Sequence, residues 1–250
     1  MKILVLVKQV PDTEATIRIS GDRKKIDEAG VKFIVNPYDE FAIEEALKLK
    51  ESGAATFIVA VSLGPDRVKE ALRTAVAMGV DDVLHLKTAD LGMDGLATAQ
   101  LLSESIKEIG FDLLLMGKEA IDDGNMQVGP MLAELLDVPC LSVVTALQVN
   151  GASVVAEREG DGCAEVLEAQ MPCIITCQKG LNEPRYPSIR GVMLAKKKEI
   201  AEKIVQSTDH TVSVESLSYP QARQAGMIVG EGAAAVPELV KKLREEAKVI

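Results

Sequence analysis

Residues 117–129, GKEAIDDGNMQVG, follow the apolar run LLLM and precede an apolar stretch of helical period. A polar, glycine-bearing loop therefore stands between a buried strand and a helix beginning near Gln127. Such a loop aims backbone N–H groups at a helix N-terminus, and the chemistry this suits is the binding of an anion. A plainer role also fits, an ordinary strand–helix connection with Asn125 or Asp123 as N-cap. No Walker signature is present. Three further segments, VKQVPD (7–12), VNPYDE (35–40) and SLGPD (62–66), set a turn-forming proline beside polar side chains at the ends of other apolar runs. If one sheet edge gathers these loops, a nucleotide suits them better than a bare phosphate. GMDGLATAQ (92–100) adds Asp94 and Thr98 at another helix start, where Asp94 can equally act as N-cap.

Other chemistries find little support. No grouping suggests a catalytic triad or an acid–base pair, and Glu44, Glu45 and Glu134 fall on helical patterns where a solvated face is expected. The only histidines are His85 and His210, which excludes a histidine-rich metal centre. Cys140, Cys163, Cys173 and Cys177 are irregularly spaced, two of them within the strand-like PCIITC, and read as buried structural thiols. With 28 basic against 38 acidic side chains and a net charge of -10, the chain lacks the basic surface nucleic acid requires. The apolar run at the N-terminus stops at Lys8, and no run reaches the roughly 18 residues of a membrane span, so a cytoplasmic protein, not embedded in a membrane, is expected.

The elements that must position these loops alternate between two periods. KILVLV (2–7), ATFIVAVS (55–62), DVLHLK (82–87), FDLLLMG (111–117) and CLSVVTAL (140–147) are short apolar runs of the kind that become strands covered on both faces. Between them, residues 38–52, the segment from Pro65 to Gly79, and residues 94–109 carry apolar side chains three and four apart, each ending at a glycine. This alternation predicts an α/β fold, a parallel-core sheet flanked by helices, with ligands at the carboxyl ends of the strands. From 148, two alternating runs around GDG predict a β-hairpin extension. Beyond 180 no strand–helix rhythm is visible until an amphipathic helix at about 236–247, and so long a tail with little core of its own is expected to wrap another surface.

One stretch resists assignment to the core. GLNEPRYPSIRGVMLAKKK (180–198) sets two prolines before an apolar row and three lysines, in an acidic protein. Pro184 and Pro187 argue against a regular helix or central strand, so the stretch reads as an irregular loop presenting apolar and basic groups.

Taken together, VKQVPDTEATIRI, VNPYDEFAIEEALKLKE, AVSLGP, LRTAVAMGVDDVLHL, GKEAIDDGNMQVGPMLAELL, EREGDG and LNEPRYPSIRGVMLAKKK resemble, in order, the electron transfer flavoprotein β-subunit family over almost all of residues 1–200. The last fifty residues match only loosely. The resemblance implies an adenine-nucleotide hydrolase-like domain with its hairpin at 1–180, a partner recognition loop at 181–200, and a C-terminal arm and helix at 201–250 packing on an α subunit. It implies an obligate heterodimer in which the α subunit holds most of an FAD, while this chain buries a nucleotide, usually AMP. The matching nucleotide positions are Leu6, Lys8, Asn36, Leu63, Asp123, Asn125, Met126, Gln127, Val128 and Gly129. Several are expected to act through backbone groups, which lets Leu63 and Val128 stand where other members differ.

The same resemblance makes the 180–198 stretch a docking element for an acyl-CoA or related flavin dehydrogenase, with Ile189 at the anchor position and Tyr186, Met193, Lys196 and Lys197 around it. Electrons would pass on to a quinone reductase, and the chain would be a carrier subunit, active in processes such as fatty acid β-oxidation, with no catalytic residues and no metal. Bifurcating members of the family hold a second FAD in place of AMP and exchange hydride with NADH. QVGP and LATA look like that type, whereas LNEPRYPSI and AIDDGN look like the simple carriers. Asn125 and Met126, which replace smaller residues of the bifurcating motif DGDTAQVGP, favour AMP. From other classes, a nucleotide hydrolase or a stress-type nucleotide sensor shares the expected sheet, but the chain has no glycine-rich pyrophosphate loop with a nearby cation, and its long tail fits a sensor poorly.

Overall fold

The apolar runs carry large aliphatic side chains at both parities, and because successive strand residues face opposite ways, each run needs cover on two sides. The computed structural model describes residues 1–88, 94–206, 211–222 and 225–250. The chain opens with β1 (Lys2–Leu6), β2 (Gln9–Pro11) and β3 (Phe33–Val35), followed by α1 (Pro37–Glu51). Next come β4 (Phe57–Gly64), a 3-10 turn at Asp66–Val68, α2 (Lys69–Met78), β5 (Asp82–Lys87), α3 (Gly95–Ile109) and β6 (Leu113–Gly117). The order continues through α4 (Val128–Leu136), β7 (Cys140–Asn150), β8 (Ser153–Gly160), β9 (Cys163–Gln170) and β10 (Cys173–Cys177). After these stand α5 (Ile189–Lys197), β11 (Ala201–Ile204) and α6 (Val236–Glu245).

Among the described residues nine strands form one sheet in the order β11-β5-β4-β1-β6-β10-β7-β8-β9, parallel from β11 to β7 and antiparallel from β7 to β9. Ile3, Val5, Ile58, Ala60, Leu113 and Leu115 pack on one face with Ile43 of α1 and Leu72 of α2. Leu4, Leu6, Val59, Val61 and Leu114 pack on the other with Leu102 of α3 and Leu132 of α4. The alternation of the sequence is thus spent on two cores. The hairpin expected around GDG is β8–β9, and its two-residue loop Asp161–Gly162 has the Asp-Gly sequence that a tight hairpin turn favours, with Gly162 at φ 73°.

Between 180 and 236, where the sequence suggested no regular element, α5 and β11 stand. The prolines stop short of excluding a helix because α5 begins after Pro187, with Ser188 capping it by accepting from Gly191 N. β11 reads poorly as a strand because it is a short edge with three exposed residues of four. It is tied down by Glu202, which pairs with Lys69 at 2.7 Å beside buried His85. Asp66 holds Lys69 and Lys87 in the same cluster. The cysteines divide: Cys173 and Cys177 are buried in β10 as expected, Cys140 is half-buried, and Cys163 is exposed because it lies on the outermost strand. Glu134 is exposed as expected, but Glu44 and Glu45 are buried, a difference taken up below.

Two units are distinguished, Met1–Ser216 and Leu217–Ile250. In the second, α6 buries none of its residues, and Val236, Leu239 and Val240 are exposed. Among the described residues no helix is long and apolar enough to cross a membrane. His210 and residues 92 and 93 of the 92–100 segment lie outside the described residues.

Candidate functional site

Strand β1 lies between β4 and β6, so the chain leaves it toward one side and later returns to the other. The crevice beyond its carboxyl end is the switch point at which open α/β sheets bind ligands. Leu6 and Lys8 stand there at the end of β1, Leu63 at the end of β4, and Gly117 at the end of β6, where the 118–127 loop begins.

The first turn of α1 holds this edge together. Asp39, buried, accepts from Lys8 N at 2.7 Å and from Gly117 N at 2.9 Å, joining the ends of β1 and β6. Burial pushes its carboxyl up to about 7 although these N–H bonds pull the other way. Gly117 admits the contact because a Cβ there would lie 2.5 Å from Asp39 Oδ1 and 2.6 Å from Tyr38 Cβ. Asn36, also buried, donates to Glu119 O at 2.8 Å and accepts from Ile121 N at 3.2 Å, fixing the start of the loop. Lys8 reaches Asp122 at 2.7 Å and Asp123 at 3.0 Å. Burial acts to lower the Lys8 ammonium, but these two carboxylates outweigh it and hold it above its ordinary value. The loop turns at Gly124, whose N–H donates to Ala120 O at 2.8 Å, and Met126 takes a left-handed conformation at φ 56° before α4 begins.

Two helices start side by side here, and they differ. Asp94 caps α3 by accepting from Leu96 N at 2.9 Å and Ala97 N at 3.2 Å, as its position suggested. Its other oxygen accepts from Thr211 Oγ1 at 2.8 Å and Val212 N at 3.1 Å, and these N–H and hydroxyl donors, Ala97 N first, hold the carboxyl well below the usual range. At α4 the cap position is Gln127, with no side-chain cap, so neither Asn125 nor Asp123 takes that role. Asp123 instead accepts from Asn125 N at 3.2 Å. The leading N–H groups of a helix have no partner within it, so α4 presents those of Val128 and Gly129, its third residue, Pro130, having none, whereas α3 has already used the N–H groups of Leu96 and Ala97. Gly95 brings the two starts together, since a Cβ there would lie 3.0 Å from Gln127 Oε1.

The residues expected at a nucleotide therefore stand in different surroundings. Lys8, Asn36 and Asp123 join in the bonds above, while Asn125, Met126 and Gln127 are exposed at the mouth of the loop. Leu6 is buried in the core, with Leu63 and Val128 packed against the same cluster, so these three can offer a ligand little but backbone. Gly129 is buried where a Cβ would stand 2.6 Å from Thr176 Cγ2, which lets α4 lie close on β10. Asp39 and Thr211 escaped sequence reasoning. For Asp39 a signal existed, an acid in the first turn of a helix whose next residues are core.

The 180–198 stretch lies along α1 and α2. Arg185 pairs with Glu44 through Nε at 2.8 Å and Nη2 at 2.9 Å, and also reaches Glu51. Asn182 donates to Glu45 at 2.9 Å and Phe41 O at 3.0 Å. Glu44 and Glu45 flank the apolar stripe of α1, and this segment covers them, which is why the expected solvated face is wrong. Helix α5 then lies on α2 so closely that a Cβ at Gly191 would be 2.1 Å from Ala77 O, and Arg73 donates to Ala195 O at 2.7 Å near the helix end. The outer face carries Ile189, 84 % exposed, and Met193, 61 % exposed, one turn apart, with Lys196 and Lys197 beyond. Tyr186, just before the helix, is 96 % exposed.

Residues 24–207 match the model of the electron transfer flavoprotein domain. Over the full length of both chains, this one is 42% identical to the electron transfer flavoprotein subunit beta of Bacillus subtilis. The chain belongs to the electron transfer flavoprotein β-subunit family. The subunit beta of Syntrophomonas wolfei is 40% identical over 100% of this chain and 98% of its own, and that of Mus musculus 37% over 100% and 99%. The last fifty residues, which carry little motif, thus fall within the family's length as well. These relatives are named as the beta subunit of an electron transfer flavoprotein.

Proposed function

We propose that this chain is the β subunit of a heterodimeric carrier that takes electrons from an acyl-CoA or related flavin dehydrogenase and delivers them to a quinone reductase in the cytoplasm. An FAD held mainly by the α subunit supplies the redox chemistry. This chain contributes a structural AMP site and a docking segment. The observation that carries the nucleotide assignment is the uncapped start of α4 at the switch-point crevice, beside Lys8 and the Asp39-bound loop ends. Its N–H groups suit a phosphate, and the backbone beside Leu6 and Leu63 suits a base or ribose.

The docking assignment draws on the exposed face of α5. A helix that presents Ile189 and Met193 beside two lysines has the apolar centre and charged rim of a partner contact. The chain beyond β11, with the bare apolar side of α6, is assigned to the α subunit.

A second reading, the bifurcating type with FAD in the AMP site, is favoured by QVGP and LATA. Asn125 and Met126 weigh against it, because they add bulk where that type carries small residues. Nucleotide released by denaturing the purified heterodimer decides between them. One AMP and one FAD are expected; two FAD with NADH-dependent reduction would overturn the AMP assignment.

A further inference from the structure

Beside Tyr186 a cavity of about 290 Å³ opens between the docking segment and the helices beneath it. Phe41, Met78, Pro184 and Pro187 supply apolar wall, and Glu40 and Arg185 line the same space, the Arg185 guanidinium being bound by Glu44 and Glu51. Glu40 differs from the other acids of α1 that face this segment. Glu44 and Glu51 hold Arg185 and Glu45 holds Asn182, whereas the Glu40 carboxylate has neither hydrogen bond nor ion pair among the described residues. It is half-buried, and burial alone pushes its pKa up. A partly desolvated carboxylate with no cation is costly, and the cost is relieved by whatever brings one. Among the described residues Arg185 is the one basic side chain that lines the cavity, and it is set against Glu40, Glu44 and Glu51, so the neighbourhood keeps an excess of negative charge.

We infer that this slot receives a cationic side chain, lysine or arginine, from the dehydrogenase that docks on α5. An aliphatic stem suits the proline and aromatic walls, and a terminal charge suits Glu40. Docking then runs in both directions: Ile189 enters the partner, and the partner's cation enters this chain. The inference rests on the docking role proposed above.

Two measurements separate the inference from that role. In the heterodimer carrying ¹³C-methyl methionine, n-butylguanidinium should shift the Met78 methyl resonance at roughly 10–100 mM, the range for a fragment of this size. n-Butanol should not, and Glu40→Gln should abolish the shift while leaving nucleotide content unchanged. Equal shifts with butanol, or a shift that survives Glu40→Gln, would overturn the slot's chemistry. In electron transfer from a substrate-reduced acyl-CoA dehydrogenase, Glu40→Gln should raise KM about tenfold and make it less sensitive to salt, with kcat unchanged. If Ile189→Ala raises KM and Glu40→Gln does not, the slot takes no part in docking and the inference fails alone. If neither variant changes KM, the docking role fails and the inference with it.

Discussion

At the proposed nucleotide crevice beyond β1 the groups left to face a ligand are mostly backbone donors, and the side chains work behind them. Asp39 and Asn36 touch loop N–H and C=O groups and set where the donors of the 118–127 loop and α4 point. At 181–198 the roles are reversed. There the exposed groups are side chains, Tyr186, Ile189 and Met193, and the backbone behind them is held by Arg185 on Glu44 and by Gly191 on Ala77. Both regions rest on α1, the crevice on its first turn and the proposed docking segment on residues 41–51. A backbone site tolerates change in the residues that face the ligand and little change in those that fix the chain. A side-chain site should do the opposite at its anchor.

The sharpest way to break that contrast is Gly117→Ala. The added methyl meets Asp39 Oδ1 at 2.5 Å, Tyr38 Cβ at 2.6 Å and the Tyr38 backbone at 2.9 Å, none of which is the free end of a flexible side chain. The ends of β1 and β6 must separate or Asp39 must give up an N–H bond, and overpacking of this kind costs about 1–3 kcal/mol before the lost bond is counted. Purified heterodimer should lose most of its bound nucleotide and melt at a lower temperature. Retention of stoichiometric nucleotide would show that Asp39 does not set the crevice.

How much of this was legible follows from which atoms carry it. Runs such as KILVLV and FDLLLMG announce doubly covered strands because each residue spends its own side chain on a core. The glycine-bearing loop before α4 was visible, since glycine and asparagine mark turns. That α4 would remain uncapped while α3 was capped could not be read, because Asp94 and Asn125 have equally suitable side chains and only geometry makes one of them reach. Glu44 and Glu45 misled because a carboxylate on a helix is usually solvated; here a segment more than 130 residues away covers them. Helix α5 was hidden by prolines that end just before its cap.

Ile189→Ala sharpens the other half of the comparison. The side chain is 84 % exposed, so its loss removes little from the fold, and the heterodimer should keep its melting temperature and both cofactors. Loss of a central apolar anchor typically costs about 2 kcal/mol in binding, which should appear as a raised KM for the reduced dehydrogenase at unchanged kcat. A large fall in stability would instead make Ile189 a packing residue, and wild-type kinetics below saturation would remove it from the interface.

The smallest effect expected is a pH dependence centred on the crevice. Burial lifts Asp39 to about 7 in the folded chain, against an ordinary value of 3.8. Between these values the native state holds a proton that the unfolded state has released, so unfolding gives up a proton and stability must fall as pH rises. One group contributes at most about 1.4 kcal/mol per pH unit, and nothing below pH 4 or well above 7, where both states carry the same charge. Asp39→Asn removes the titration and also replaces one acceptor oxygen by an NH2 that faces a backbone N–H, so the variant should be less stable overall. The discriminating quantity is therefore slope. Urea unfolding of the heterodimer from pH 5 to 8 should show wild type losing stability relative to Asp39→Asn as pH rises, with the difference levelling off near pH 8. A constant difference across that range would mean that Asp39 is ionised throughout, and that its two N–H bonds outweigh its burial.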